Sequence, residues 1–184
     1  PASACGIFGF KPPYGRNPEV PYMNLDYYSH SGPMARSTED IILMQSLTSG
    51  IHNQDITSLS IKHDFDGNSN IKGLRIAWSD HLCRFKVDEE IKNNLQKSLR
   101  IFESEGATIQ EVDFGWSDNI LEATEIYLNS LWGTSLALAA KDNENIITSY
   151  ALKYIQHSKE RSLSDLIKSN IVAWDSYSKF GPIM

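Results

Sequence analysis

The rhythm of apolar and polar positions changes along the chain, and each change marks an element. Residues 1 to 36 have no helical period, because six of the seven prolines (Pro1, Pro12, Pro13, Pro18, Pro21, Pro33) and four glycines fall there. Proline lacks the N–H and the freedom in φ that a helix interior needs, so the segment reads as strand ends and ordered loops. Its one predicted strand is Ile7 to Lys11, with Phe8 and Phe10 on one face and Ile7 and Gly9 on the other, stopping at Pro12. From Ser37 the period becomes helical. Ser37 with Asp40 resembles a capping box, Ile41, Leu43, Met44 and Leu47 recur at helical spacing, and Gly50 is the natural stop. Residues 51 to 72, rich in Asn, Asp, Ser and Gly without a period, predict a surface loop.

Past Gly73, the alternation of Leu74, Ile76 and Trp78 with Arg75 and Ala77 predicts a short strand. A helix follows, N-capped by Asp88, with Val87, Ile91, Leu95, Leu99 and Phe102 as one apolar stripe and Gly106 closing it. Ala107 to Phe114 carries Thr108, Ile109 and Val112 and predicts the next strand. Strand, helix and strand in this order make a right-handed βαβ crossover, which requires parallel strands. After Trp116 and Ser117, the residues Ile120, Leu121, Ala123, Ile126, Tyr127, Leu131 and Ala137 through Ala140 cover most of a helix circumference. A helix apolar all round is buried or lines a pocket. Two more amphipathic helices are predicted at 145–158 and 163–180, the second capped by Ser162 with Asp165. The pattern predicts an α/β fold, a mixed β-sheet flanked by helices, without internal repeats.

Composition narrows the class. Hydrophobic residues at 41% and charged residues at 22% of 184 fit a folded globular chain rather than a disordered one. A formal net charge of −6 argues against gripping nucleic acid, whose phosphate backbone calls for a basic face. No apolar run approaches the ~20 residues that span a bilayer. Residues 1 to 20 also lack the basic, apolar, small-residue order of a signal peptide, so neither membrane insertion nor secretion is predicted. Two cysteines, Cys5 and Cys83, allow one disulfide at most and fit a reducing, cytoplasmic compartment. The chain opens on Pro1 within a dense motif and reads as a piece of something longer.

Candidate chemistry is sparse. Gly6, Gly9 and Lys11 imitate a phosphate cradle, but a P-loop needs its Lys followed by Ser or Thr at a helix start, and Lys11 runs into Pro12 and Pro13. The histidines (His30, His52, His63, His81, His157) show no metal-binding spacing and neither cysteine sits in a CxxC pair, so no metal or cofactor is predicted. Cys5, with His30 or His52 as its base, would make a nucleophile; a small buried thiol beside Gly6 is the simpler reading. Asp88, Glu89 and Glu90 fit favourable charge in the first turn of a helix better than a catalytic cluster. Tyr127 and Trp132, at helical spacing, fit core packing as well as ligand contact.

The segments PASACGIFGFKPPYGRNP and YSHSGPMARSTEDIILMQSLTSG, in this order, resemble the amidase signature family. The matching positions are Pro1, Ala2, Gly6, Gly9, Lys11, Pro12, Gly15 and Arg16, then Gly32, Pro33, Met34, Ala35, Arg36, Ser37 and Asp40. Pro13 departs from the family's usual Thr. The run GIHNQDITSL, Gly50 through Leu59, is similar to the family's Gly-x-x-x-x-Asp-x-x-Ser-Leu link.

That resemblance implies a hydrolase cleaving a small-molecule carboxamide to a carboxylic acid and ammonia or an amine, without a cofactor. It also implies that residues 1–184 are the central portion of one amidase signature domain. The family's nucleophilic Ser, in a Gly-Gly-Ser stretch, its second Ser in a cis peptide and its Lys precede the position of Pro1, so none is carried onto this chain. Lys11 belongs to the separate Lys-Pro motif. On this reading residues 1 to 16 hold the nucleophile loop from below, with Gly6 and Gly9 packed against backbone and Arg16 anchoring the turn. Gly32, Pro33 and Arg36 belong to the same frame, and the helix with Tyr127 and Trp132 walls the acyl pocket. The chain alone is expected to be inactive, and uncovered strand edges and helix faces imply self-association or a homodimer. The alternatives are the amidase component of a tRNA-dependent amidotransferase and a non-catalytic scaffold of the same fold.

Overall fold

The computed structural model describes residues 1–19, 23–60, 70–82, 85–141 and 143–184. They gather into two compact units, Pro1–Ser69 and Asn70–Met184.

In the first unit, helix α1 (Ala2–Cys5) lasts one turn, because Gly6 adopts φ 64° and its N–H bonds Ser3 O. Strand β1 (Phe8–Gly9) then pairs antiparallel with β2 (Met34–Ala35), Phe8 opposite Ala35 and Gly9 opposite Met34. The Phe10 N–H extends the ladder to Pro33 O at 3.0 Å. The regular strand is shorter than the predicted Ile7–Lys11, and its partner is not legible as a strand in the sequence. Pro12 and Pro33 lack the N–H that would carry the ladder further.

Helix α2 (Thr38–Thr48) starts where predicted, with the Asp40 N–H donating to Ser37 Oγ. Its buried side differs from the predicted stripe: Ile41 and Gln45 are buried, while Leu43, Met44 and Leu47 are exposed. The helix ends at Ser49, whose N–H and Oγ both donate to Gln45 O. Gly50, at φ 131°, turns the chain back so that its N–H reaches Arg16 O at 3.1 Å. The predicted loop at 51–72 is a structured return as far as Ser60, and its part at 61–69 lies outside the described residues.

The second unit contains the predicted βαβ element. Strands β3 (Arg75–Trp78) and β4 (Thr108–Glu111) pair in parallel, from Arg75 opposite Thr108 to Trp78 opposite Glu111. Helix α3 (Glu89–Ser104) connects them, with Asp88 accepting from the Glu90 N–H and Glu89 and Glu90 in its first turn. Of the predicted stripe Leu99 is buried, whereas Ile91 and Phe102 are exposed. Among the described residues the strands form two separate two-stranded sheets, one antiparallel and one parallel, rather than one mixed sheet.

Past β4, Phe114 stacks on Trp116 at 5.2 Å and Trp116 Nε1 donates to Ser176 O. The helix expected after Ser117 is broken into α4 (Asn119–Leu128), a π turn (Asn129–Gly133) and α5 (Thr134–Ala139). It is not buried all round. Leu121, Trp132 and Leu138 are exposed, and the buried positions are Ala123, Asn129, Gly133 and Ala140. Small residues take the inner face because the neighbouring backbone comes close: a Cβ on Gly133 would fall 2.3 Å from Tyr154 O. Helix α6 (Ser149–Ser158) begins after a separate 3-10 turn at Glu144–Ile146, later than predicted. Helix α7 (Leu163–Phe180) has the predicted bounds and a complete capping box, Ser162 with Asp165. No helix among the described residues is long and apolar enough to cross a membrane.

Candidate functional site

The first unit draws its motif residues onto one frame, built mostly on backbone hydrogen bonds. Gly15, at φ 77°, is buried, and a Cβ there would fall 2.6 Å from Thr57 O. Gly15 O accepts from the Leu59 N–H at 2.8 Å and Arg16 O from Gly50 N–H, so the GIHNQDITSL run is laced along Gly15–Arg16. Gly32 faces Phe10 O, which a Cβ would approach to 1.9 Å, and Pro12, which is fully buried. Arg16 and Pro33 are half-buried, and Arg36 is exposed between β2 and α2.

The expectation for the first two glycines needs correcting. Gly6 is exposed and a Cβ there meets nothing within 4 Å, so its role is to close α1. Gly9 is also exposed, and a Cβ on it would strike the Ala2 side chain at 2.6 Å rather than backbone. Close backbone approach belongs instead to Gly15 and Gly32. Cys5 is free and exposed, not the buried thiol expected; Cys83 lies outside the described residues.

Asp55 is the hub that sequence reasoning did not single out for a role. It is 4% exposed. Its carboxylate accepts from Asn24 Nδ2 at 2.9 Å, the Glu19 N–H at 2.9 Å, the Thr57 N–H at 2.9 Å and Thr57 Oγ1 at 2.7 Å. Burial pushes this carboxyl up, but those donors together hold it well below the usual carboxylate range. Ser58 completes the turn, its Oγ donating to Asp55 O at 2.6 Å. Position six of the GIHNQDITSL run is the only sequence signal that points to Asp55.

Lys11 is exposed and spans to the loop before β2. Its Nζ donates to Tyr28 O at 3.1 Å and sits 2.8 Å from His30 Nε2. Burial and the Lys11 ammonium hold the His30 imidazole below its ordinary range, against smaller opposing effects of the Ser29 backbone, Asp26 and Glu19. The neutral ring accepts the lysine proton. Tyr14 closes the cluster, its hydroxyl donating to Asn24 O and its ring meeting Tyr27 at 5.3 Å. Tyr127, half-buried, and Trp132, exposed, belong to the other unit. Among the described residues no three His, Cys, Asp or Glu side chains gather to hold a metal ion. The chemistry on display is that of a scaffold: the named polar groups hold backbone in place.

The sequence model of the family described as Amidase matches residues 1–179. The chain belongs to the amidase family. Among curated relatives, the glutamyl-tRNA(Gln) amidotransferase A-subunit of Staphylococcus epidermidis is 31% identical over 176 residues, 91% of this chain and 34% of that protein. Its counterpart in Methanothermobacter thermautotrophicus is 35% identical over 119 residues, 64% of this chain and 26% of its own. The amidase chain therefore spans about a third or less of these relatives. Among solved structures, a bacterial aryl acylamidase of the amidase signature family superposes with a TM-score of 0.80 at 22% identity, over 96% of this chain and 39% of its own. The glutamyl-tRNA(Gln) amidotransferase A-subunit of Thermotoga maritima gives 0.66 at 18%, over 99% and 41%. These two show the fold.

Proposed function

We propose that this amidase chain is the frame beneath the nucleophile loop of a carboxamide hydrolase whose catalytic Ser, cis-Ser and Lys lie in sequence outside these 184 residues. The observation that carries the reading is the convergence of the family's motifs: β1 and β2 pair the first motif with the Gly32–Ser37 motif, and Gly15–Arg16 is clamped by the 50–59 run. In such a site a buried, neutral lysine takes the proton that makes the serine hydroxyl nucleophilic, the middle serine relays it, and backbone N–H groups hold the tetrahedral oxyanion. This chain supplies the stiffness that keeps those groups in register. Tyr127 and Trp132 are assigned to the acyl pocket. The cytoplasm is the proposed compartment. Leu163, Ile167, Ile171 and Trp174, which α7 leaves exposed, support association with further polypeptide, either the rest of an amidase fold or a second copy.

The test is ammonia release from a panel of aliphatic and aromatic amides by this chain, by the full-length protein, and by the full-length protein with Ala at the serine of Gly-Gly-Ser. Turnover is expected from the intact full-length protein only. Activity of the chain by itself would overturn the mechanism, and an inactive full-length protein with that serine present would favour a scaffold.

A second reading is favoured by the curated relatives at 31–35% identity, both amidotransferase components in name. In that case the substrate is glutamine and the ammonia passes to partner subunits. Glutamine as the preferred substrate in the same assay would select it.

A further inference from the structure

The unit Asn70–Met184 has three buried polar atoms without a hydrogen-bond partner among the described residues: Asn129 Nδ2, Ser130 Oγ and Arg161 Nε. Their elements bring them to one place. Helix α5 packs on α6 while α4 packs on α7, so the rod α4, π turn, α5 runs antiparallel to α6 and α7. Gly133 fixes the level, since a Cβ on it would fall 2.3 Å from Tyr154 O and 2.8 Å from Ser158 Cβ. One turn back from Gly133, on the same face, is Asn129; one turn on from Ser158 is Arg161, whose N–H bonds Ser158 O at 3.2 Å. The three atoms thus share the corner where the α6–α7 junction passes the π turn.

We propose that this corner is a binding site for a small carboxylate. The donors decide the class of ligand: an amide N–H, a guanidinium N–H and a hydroxyl all lack an acceptor, and one of them carries a positive charge. A carboxylate supplies two acceptor oxygens and one negative charge, which matches a single arginine and two neutral donors. A water molecule would accept from two of the donors and leave the guanidinium without a counter-charge. The site has a closed end and an open one. Asn129 is 1% exposed, whereas Ser130 and Arg161 are half-buried, so the ligand enters past Arg161 and reaches Asn129 last. The π turn is consistent with this use, because such turns within α-helices concentrate at functional sites. The inference stands on these atoms and does not depend on the amide-hydrolase reading.

The experiment is a titration of the isotope-labelled chain with sodium acetate at constant ionic strength, following the Asn129 side-chain NH2 and Arg161 Nε–H signals by NMR, with sodium chloride as the control. Both signals are expected to move along one saturable curve with acetate and to stay still with chloride. Arg161→Gln should weaken acetate binding about tenfold or more, the loss of a charge-assisted bond. Asn129→Asp, which replaces the donor with an acceptor of the same shape, should abolish it. Should Asn129→Asp fail to fold, Ser130→Ala at its half-buried position replaces it, with a roughly threefold or greater weakening expected. Still signals in acetate, equal movement in chloride, or an Arg161→Gln chain that binds as tightly as the parent would each overturn the site.

Discussion

Asn17 and Gln45 clasp each other across the first unit through both ends of their carboxamides. Asn17 Nδ2 donates to Gln45 Oε1 at 3.2 Å, and Gln45 Nε2 donates back to Asn17 Oδ1 at 2.7 Å. Gln45 is 0% exposed and Asn17 is buried, so the residue after Arg16 is fixed to the middle of α2. Asn17 Nδ2 also reaches Ser31 O at 3.0 Å, one residue before the Gly32 motif. This pair explains why α2 buries a glutamine where its periodicity offered leucines: the helix docks on polar backbone connections, and only a carboxamide satisfies both a donor and an acceptor there.

Gln45→Leu should therefore destabilise the chain by about 2 to 3 kcal/mol, because it leaves the buried Asn17 amide without its partner. The double variant Asn17→Ala/Gln45→Leu should cost clearly less than the sum of the single changes, since the orphaned group is gone as well. Urea unfolding of the four proteins reads the coupling, and additive costs would show that the pair does not act as one.

Asp55 gives a pH dependence with a definite sign. Its folded-state acidity is stronger than that of an unfolded aspartate, so its contribution is full above the unfolded value near ~3.9 and is lost as pH falls through the folded one. Thermal unfolding should thus show a stability loss on acidification below about pH 4 that Asp55→Asn lacks. At neutral pH Asp55→Asn should cost about 3 kcal/mol, because an amide nitrogen would face donors that now find an oxygen. Unchanged neutral stability in that variant would remove Asp55 from the role of hub.

The glycines should rank by geometry. Gly32→Ala places a Cβ 1.9 Å from Phe10 O, and Gly15→Ala combines φ 77° with a contact of 2.6 Å to Thr57 O. Both must displace backbone. Gly6→Ala meets only the strain of its positive φ, about 1 kcal/mol, in open space. Circular-dichroism melts should place Gly6→Ala well above the other two, and the reverse order would contradict a frame held by close backbone approach at Gly15 and Gly32.

The Lys11–His30 contact requires a neutral ring. His30 is held below its ordinary range, so the contact is whole above the unfolded value near ~6.5 and is lost as pH falls through that region. NMR titration should find His30 ionising at lower pH than an unfolded histidine, and Lys11→Met should move it upward by removing the neighbouring cation. A titration that Lys11→Met leaves in place would mean that burial alone sets it.

Local sequence decided the elements whose causes are local. The caps at Ser37, Asp88 and Ser162, the bounds of α7, and the parallel β3 and β4 around α3 all follow from side chains within a turn or strand of where they act. The motif spacings likewise pointed to the family without any coordinates. Tertiary structure alone decided what each element buries. Periodicity ranks positions by hydrophobicity, and so it chose Leu43, Met44 and Leu47 over Gln45, and a continuous apolar helix over one broken by a π turn. The structure chose by fit. Gln45 lies inside because Asn17 offers it two hydrogen bonds, Asp55 because Asn24 and the Glu19 N–H converge on it with Thr57, and Gly133 because the Tyr154 carbonyl leaves no room for a side chain. Apart from Thr57, those partners stand 21 to 36 residues away, beyond the reach of any local pattern, and only the folded chain brings them together.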